Sequence, residues 1–121
     1  MVGGFIMKIA ITALENNLQS LIPSDLQHTN YFLLVNTADL NHYQFIPNMY
    51  NKTISGAEIF CSQFLIKQGV NAIICGKNED QSAQMLMLAG IKIVEMPGAR
   101  VDEIIKQLTS IVHSIFDSTI Q

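Results

Sequence analysis

Two cysteines and three histidines are the residues of this 121-residue chain best suited to chemistry. Cys75 ends a short apolar segment just before Gly76, and a thiol there could bind a soft metal or an iron-sulfur cluster. The alternative is that Cys75 is a small apolar core residue, as free cysteines usually are. Cys61 lies within an apolar helical stripe, which favours a core position. The sequence therefore offers one candidate thiol ligand.

The three histidines lie far apart in the sequence and show no ligand spacing. His28 lies in a long loop that should begin at the carboxyl end of the first strand, and ligands gather at the carboxyl ends of strands in open α/β sheets. His28 could therefore meet Cys75 across a cleft. His42 and His113 are predicted to be surface or rim residues.

Motifs that would identify an enzyme are missing from the sequence. The chain contains no GxGxxG, GxxxxGK[ST], HExxH or CxxC. Its acidic residues are predicted to cap helices or face solvent rather than to converge on metal ions. Packing or initiation explains most of the six methionines. We therefore predict that the protein is not an enzyme.

Composition limits the partners of the chain. Its length predicts one domain. Apolar residues make up 49% of the chain and charged residues only 14%, against about 25% charged in an average domain. This composition excludes disorder and favours a homodimer. The net charge of −3 and the lack of a basic patch disfavour nucleic acid and anionic membranes. No apolar run approaches the roughly 20 residues that span a bilayer. Two cysteines are too few for a disulfide scaffold, so we predict a cytoplasmic protein with reduced thiols.

Five short apolar segments are predicted to form strands. A tight turn joins the second to the third, which should make them antiparallel, whereas a helix joins the fourth to the fifth in a right-handed crossover, which makes them parallel. A long, mostly polar loop separates the first two strands. The predicted strands are Lys8–Thr12, Tyr31–Asn36, His42–Ile46, Ala72–Cys75 and Ile91–Met96.

Three helices are predicted between and after these strands. The sequence Ser55-Gly56-Ala57-Glu58 matches a capping box, which begins a helix that ends at Gly69. Its apolar stripe consists of Ala57, Phe60, Cys61, Phe64 and Leu65. A second helix, capped by Asp80, runs to about Ala89, and a third keeps helical spacing for roughly four turns from Val101 to Ile115.

These elements predict an α/β fold, a three-layer α/β/α sandwich around a five-stranded mixed sheet, because short strands buried on both faces need helices on both sides. Residues 7–121 are predicted to form this single domain. Residues 1–6 are predicted to be a leader or an alternative start, since the strand pattern begins abruptly after Met7.

From Met7 to about Leu108 the chain resembles the dinitrogenase iron-molybdenum cofactor biosynthesis family, the nitrogenase accessory factors with a ribonuclease H-like fold. The resemblance implies a sheet order of 3-2-1-4-5 with the second strand antiparallel to the others. It is carried by the order and spacing of Met7-Lys8-Ile9-Ala10-Ile11, Tyr31-Phe32-Leu33-Leu34-Val35, Ser55-Gly56-Ala57, Gln68-Gly69-Val70-Asn71-Ala72-Ile73-Ile74-Cys75-Gly76 and Ala89-Gly90-Ile91-Lys92-Ile93.

The resemblance also implies a function. Such proteins bind, carry or insert iron-sulfur-containing cofactor precursors without catalysing a reaction, with a metallocluster or metal-delivery protein as partner. The predicted site is the cleft at the carboxyl ends of strands 1 and 4, where His28 and Cys75 would be ligands. Gly56 and Gly76 would allow close backbone approach.

The alternative function is a scaffold or protein-interaction module that keeps the fold and binds no cluster. The family's His-Phe-Gly-Arg stretch is replaced here by Asp25-Leu26-Gln27-His28. Its Gly-Pro after the fourth strand is replaced by Glu79-Asp80, whose negative charge would repel an anionic cluster.

Overall fold

The computed structural model describes residues 6–50 and 56–116. The predictions made for residues 1–5 and for Ser55 lie outside the described residues. The elements are β1 (Lys8–Ala13), a single 3-10 turn (Leu26–His28), β2 (Tyr31–Asn36), β3 (Asp39–Pro47), α1 (Ala57–Gln68), β4 (Ala72–Cys75), α2 (Asp80–Leu88), β5 (Lys92–Glu95), α3 (Val101–Lys106) and α4 (Leu108–Phe116).

The five strands form one sheet in the order β3-β2-β1-β4-β5, which confirms the predicted topology. β2 runs antiparallel to both β1 and β3, whereas β1, β4 and β5 are parallel. Ile9 in the central strand faces Val35 on one side and Ala72 on the other. The carboxyl ends of β1, β4 and β5 therefore share one edge of the sheet, together with the start of β2 and the end of β3.

Alternate residues of the strands belong to two apolar clusters, one on each face of the sheet, because successive side chains of a strand point to opposite faces. Ile9 and Ile11 pack toward α3 and α4, where Val101, Ile104 and Leu108 are buried. The opposite cluster contains Ala10, Phe32 and Ile73 from the sheet, with Cys61, Leu65 and Leu86 from α1 and α2. Helices thus cover both faces, and the predicted three-layer sandwich is confirmed.

The last predicted helix is two helices, α3 and α4, interrupted at Gln107. The Gln107 amide donates to the carbonyl oxygens of both Glu103 and Ile104, which tightens the last turn of α3 and ends it. Apolar spacing continues through the break, since Leu108 is buried. Periodicity predicts which side of a segment faces the core, and it does not predict whether the helix is continuous.

Two helix starts also differ from the prediction. Gly56, with φ of 97°, is the N-cap of α1, and Glu79 rather than Asp80 is the N-cap of α2. Phe60 of the predicted apolar stripe is 45% exposed, so the buried face of α1 is narrower than its composition indicated.

None of the helices in residues 6–50 and 56–116 has the length and apolar character of a membrane span.

Candidate functional site

The long loop between β1 and β2 crosses the carboxyl end of β4. The Leu26 amide donates to the Lys77 carbonyl at 2.9 Å, and the Lys77 amide donates to the Ser24 carbonyl at 2.9 Å. The Ile22 amide donates to the Ala99 carbonyl at 2.8 Å. Ile22 and Leu26 are buried and anchor the loop by their side chains. The chain itself therefore covers the edge between β1 and β4, where the sequence predicted an open cleft.

Gly76 is the position where this loop approaches β4 most closely. A Cβ atom at residue 76 would lie 2.3 Å from the Pro23 carbonyl oxygen and 2.5 Å from that of Ser24. Gly76 permits close backbone approach, and the approaching backbone is that of the loop, whereas the approach of a cofactor to Gly76 stays a prediction. Gly56, by contrast, is exposed, and a Cβ there would meet no atom within 4 Å.

Cys75 lies beneath the loop in the apolar cluster between the sheet and α1–α2, with 0% of its surface exposed. Burial raises the pKa of its thiol to about 12, although a hydrogen bond from Asn78 Nδ2 to the sulfur at 3.2 Å opposes the rise, and the carboxylates of Glu95 and Glu58 add to it. The thiol is therefore neutral at physiological pH. This placement matches the core interpretation of Cys75 that the sequence left open.

His28 lies on the solvent side of the same loop, with 66% of its side chain exposed. Its Nδ1 is 2.5 Å from Asp25 Oδ1, and the same carboxylate accepts the His28 amide at 3.0 Å. Because a carboxylate only accepts hydrogen bonds, Nδ1 carries the proton, and in the neutral form of the ring Nε2 has the lone pair. Leu26 packs in the cluster that holds Cys75, so His28 and Cys75 lie at the same end of the sheet, one exposed and one buried.

Asp25 contacts the candidate ligand His28, and the sequence did not predict this contact. It occupies the N-cap position of the 3-10 turn and orients the His28 ring at the same time. The only signal in the sequence was an acid three residues before a histidine, which is a common spacing. In the sequence, Asp25 stood out only because it begins the stretch that replaces the family's His-Phe-Gly-Arg motif.

An open groove of about 650 Å³ lies where β1 ends, β2 begins and β3 ends. Segments 14–16, 30–31 and 47–49 line it. The predicted cleft lay between β1 and β4, so the groove is on the other side of β1. Asn30 in its wall follows His28 by two residues, which places the exposed imidazole and the groove at the same edge of the sheet.

Asn48 fixes one wall of this groove, and the sequence analysis assigned it only to a polar loop. Its side chain is buried, and Nδ2 donates to the Thr29 carbonyl at 2.8 Å and to Cys61 Sγ at 3.4 Å. Its Oδ1 accepts the Tyr50 amide at 3.0 Å. Burial also raises the pKa of the Cys61 thiol, which confirms a core position for that cysteine.

Titratable side chains do not cluster into a metal cage in the part of the chain that the structure describes, where no three of His, Cys, Asp and Glu converge. The candidate ligand that the geometry offers is one oriented imidazole, that of His28, and other residues line the groove. Together these features define a small α/β/α domain with an exposed imidazole and an open groove at the carboxyl end of its sheet.

The chain belongs to the dinitrogenase iron-molybdenum cofactor family, whose model matches residues 7–111. This match confirms the resemblance found in the sequence. A search of curated proteins finds no match.

Two solved structures are similar over 86% of the chain. The apo form of the orange protein from Desulfovibrio gigas matches with 26% identity, a TM-score of 0.77 and 88% coverage of that chain. A putative NifB protein from Thermotoga, of the DUF35 family, matches with 20% identity, a TM-score of 0.71 and 88% coverage of that chain. The second likeness shows the shared fold alone.

The raised pKa of Cys75 predicts a loss of stability at alkaline pH. The unfolded thiol ionises near pH 9, whereas the folded thiol stays neutral until about pH 12. The stability that the protein has with a neutral Cys75 thiol is therefore fully present below pH 9 and is lost as pH rises from 9 toward 12. The free energy of unfolding of the wild type, minus that of Cys75→Ala, should fall above pH 9 by up to about 1.4 kcal/mol per pH unit. Urea unfolding at pH 7, 8.5 and 10 measures the difference, and parallel pH profiles would contradict the buried thiol.

Proposed function

We propose that this protein is a non-enzymatic carrier of the iron-molybdenum cofactor biosynthesis type. Its cargo would be a preformed iron-sulfur-containing cofactor or its metal, bound at the carboxyl end of the sheet and exchanged with a metallocluster-delivery or metal-delivery protein in the cytoplasm. Family membership supports the type of protein. The similarity to the orange protein, which was solved in an apo form, supports a binding role.

The pairing of His28 with Asp25 is the observation that carries the proposal. Histidines that bind metals usually donate their other ring N–H to a carboxylate or carbonyl, which sets the tautomer and the ring orientation. Asp25 makes this contact at Nδ1, and in the neutral ring Nε2, on the exposed side chain, would supply the lone pair that a metal needs. The groove beside Asn30 offers space for a cargo larger than one ion.

Anaerobic reconstitution with ferrous iron and sulfide tests the proposal. The wild type should retain iron in a reproducible ratio to protein, and His28→Ala should lower that retention by about tenfold or more. Asp25→Asn should weaken retention by about 10- to 100-fold, because it removes the partner that orients the ring. Cys75→Ala should leave retention unchanged, because the thiol is buried.

His42→Ala is the matched control. His42 is also exposed and also pairs through Nδ1 with an acid three residues earlier, Asp39, whose pKa this pair lowers. That pair lies at the start of β3, at the opposite end of the sheet. Equal losses in the His28 and His42 variants would exclude His28 as the ligand. A wild type that retains no iron would support the scaffold function instead.

A further inference from the structure

Glu58 is a buried carboxylate in the first turn of α1, with 4% of its surface exposed. Its Oε1 accepts the Glu79 amide at 3.0 Å and the Ser82 hydroxyl at 2.6 Å. Both donors belong to the start of α2, which is 21 or more residues further along the chain. A buried carboxylate is costly unless it is hydrogen-bonded, so these two contacts are what makes the position tenable.

These contacts reproduce a capping box with residues from two helices. In a capping box, an acid at the third helical position accepts the amide of the N-cap residue. Here Glu79 is the N-cap of α2, Ser82 stands at the third position, and the acid comes from α1. The carboxylate also places a negative charge at the positive end of α2. Sequence analysis predicted this glutamate as part of the cap of its own helix.

The start of α2 in turn holds the loop that carries His28. Lys77 precedes Glu79 by two residues, and its amide and carbonyl pair with Ser24 and Leu26. These two residues flank Asp25, which orients the imidazole. A displacement of the first turn of α2 would therefore move the backbone that aligns Asp25.

We infer that Glu58 is a positioning residue for the His28 site, acting through the first turn of α2 and the Lys77 backbone. The inference rests on the proposed function only where it concerns cargo. The coupling between Glu58 and the loop is a property of the protein without cargo, and it can be measured without iron.

Amide hydrogen exchange followed by NMR tests this coupling. Glu58→Ala should accelerate exchange of the Leu26 and Lys77 amides by about tenfold or more, because the hydrogen bonds to a buried charge are lost. The Asn71 amide, bonded to the Lys8 carbonyl at the other end of β4, should change by less than about twofold. Glu103→Ala is the matched control, since Glu103 is an exposed acid in the first turn of α3.

The outcomes separate this inference from the proposed function. Unchanged exchange at Leu26 and Lys77 in Glu58→Ala, or equal acceleration at Asn71, overturns the inference. Accelerated exchange at Leu26 and Lys77 alone supports it, even if His28→Ala retains iron normally and the proposed function fails. Iron retention should fall in Glu58→Ala and stay unchanged in Glu103→Ala.

A second variant keeps the test decisive if Glu58→Ala does not fold. Ser82→Ala removes one of the two donors that the described residues supply to Glu58, and it leaves the carboxylate and the Glu79 amide in place. It should accelerate exchange at Lys77 more than at Asn71. Equal exchange rates for the wild type and Ser82→Ala at Lys77 would then count against the inference.

Discussion

Gly76→Ala is expected to destabilise the protein by about 3 kcal/mol. The added Cβ would lie 2.3 Å from the Pro23 carbonyl oxygen and 2.5 Å from both the carbonyl carbon and the oxygen of Ser24. These are backbone atoms, so no side chain can rotate away to relieve the overlap. Either the loop leaves its hydrogen bonds with Lys77 or the sheet edge shifts. Urea unfolding followed by circular dichroism measures the cost.

Gly90→Ala provides the control for Gly76→Ala. Gly90 has φ of 81°, so alanine is strained there, but a Cβ would meet no atom within 4 Å. Its expected cost is about 1–2 kcal/mol, which is the cost of the left-handed backbone alone. If Gly76→Ala were no more destabilising than Gly90→Ala, the close contact between the loop and β4 would be refuted.

The Gly76 variant also bears on the site. The loop whose backbone lies against Gly76 contains the Asp25–His28 pair. Displacement of this loop should lower iron retention together with stability, whereas Gly90→Ala should lower stability alone. The glycine is thus expected to serve cargo binding indirectly, through the loop.

Leu26→Ala is expected to lower the free energy of unfolding by about 2–5 kcal/mol. Leu26 is 0% exposed and packs with Cys61, Leu65 and Cys75 between the sheet and the helices. Truncation leaves a cavity under the 3-10 turn and removes the side chain that anchors it. The same unfolding experiment gives the loss, and faster amide exchange at His28 and Thr29 should accompany it.

Leu88→Ala is the control for this truncation. Leu88 is 89% exposed at the end of α2, and its removal should change stability by no more than about 0.5 kcal/mol. Similar costs at residues 26 and 88 would show that Leu26 contributes no buried packing. The prediction that the loop is anchored by its side chains would then be wrong.

The hairpin and the crossover of the sheet could be predicted because they depend on local signals, whereas the complete strand order was implied by the family resemblance. The apolar segment Ala72–Cys75 predicted a central strand, and all four of its residues are buried. The short turn before β3 predicted an antiparallel pair, and the structure has that pair. The ends of β3 were predicted less well, since the strand runs from Asp39 to Pro47 and its mostly exposed residues lack an apolar pattern.

The sequence predicted the positions of the candidate site residues only in part. His28 was identified from its loop, and the structure places it exposed at the expected end of the sheet. The contact of Asp25 with His28 was not predicted, and neither were the contacts of Glu58 with α2, because a partner 21 residues away leaves no local pattern. The sequence also left open whether the Cys75 side chain is buried or exposed, because the position of a strand end does not show which segments cover it.

The amino-acid sequence by itself determined the layers, the antiparallel hairpin and the parallel crossover, because hydrophobic periodicity and turn residues are local features of the chain. The family resemblance supplied the complete strand order. Only the tertiary structure decided which groups reach solvent at the carboxyl edge. The loop after β1 folds back across β4, which buries the Cys75 thiol, leaves the groove on the far side of β1 and holds His28 outward against Asp25. The position of this loop depends on backbone contacts between segments about 50 residues apart, such as Leu26 with Lys77, and no local sequence pattern predicts these contacts.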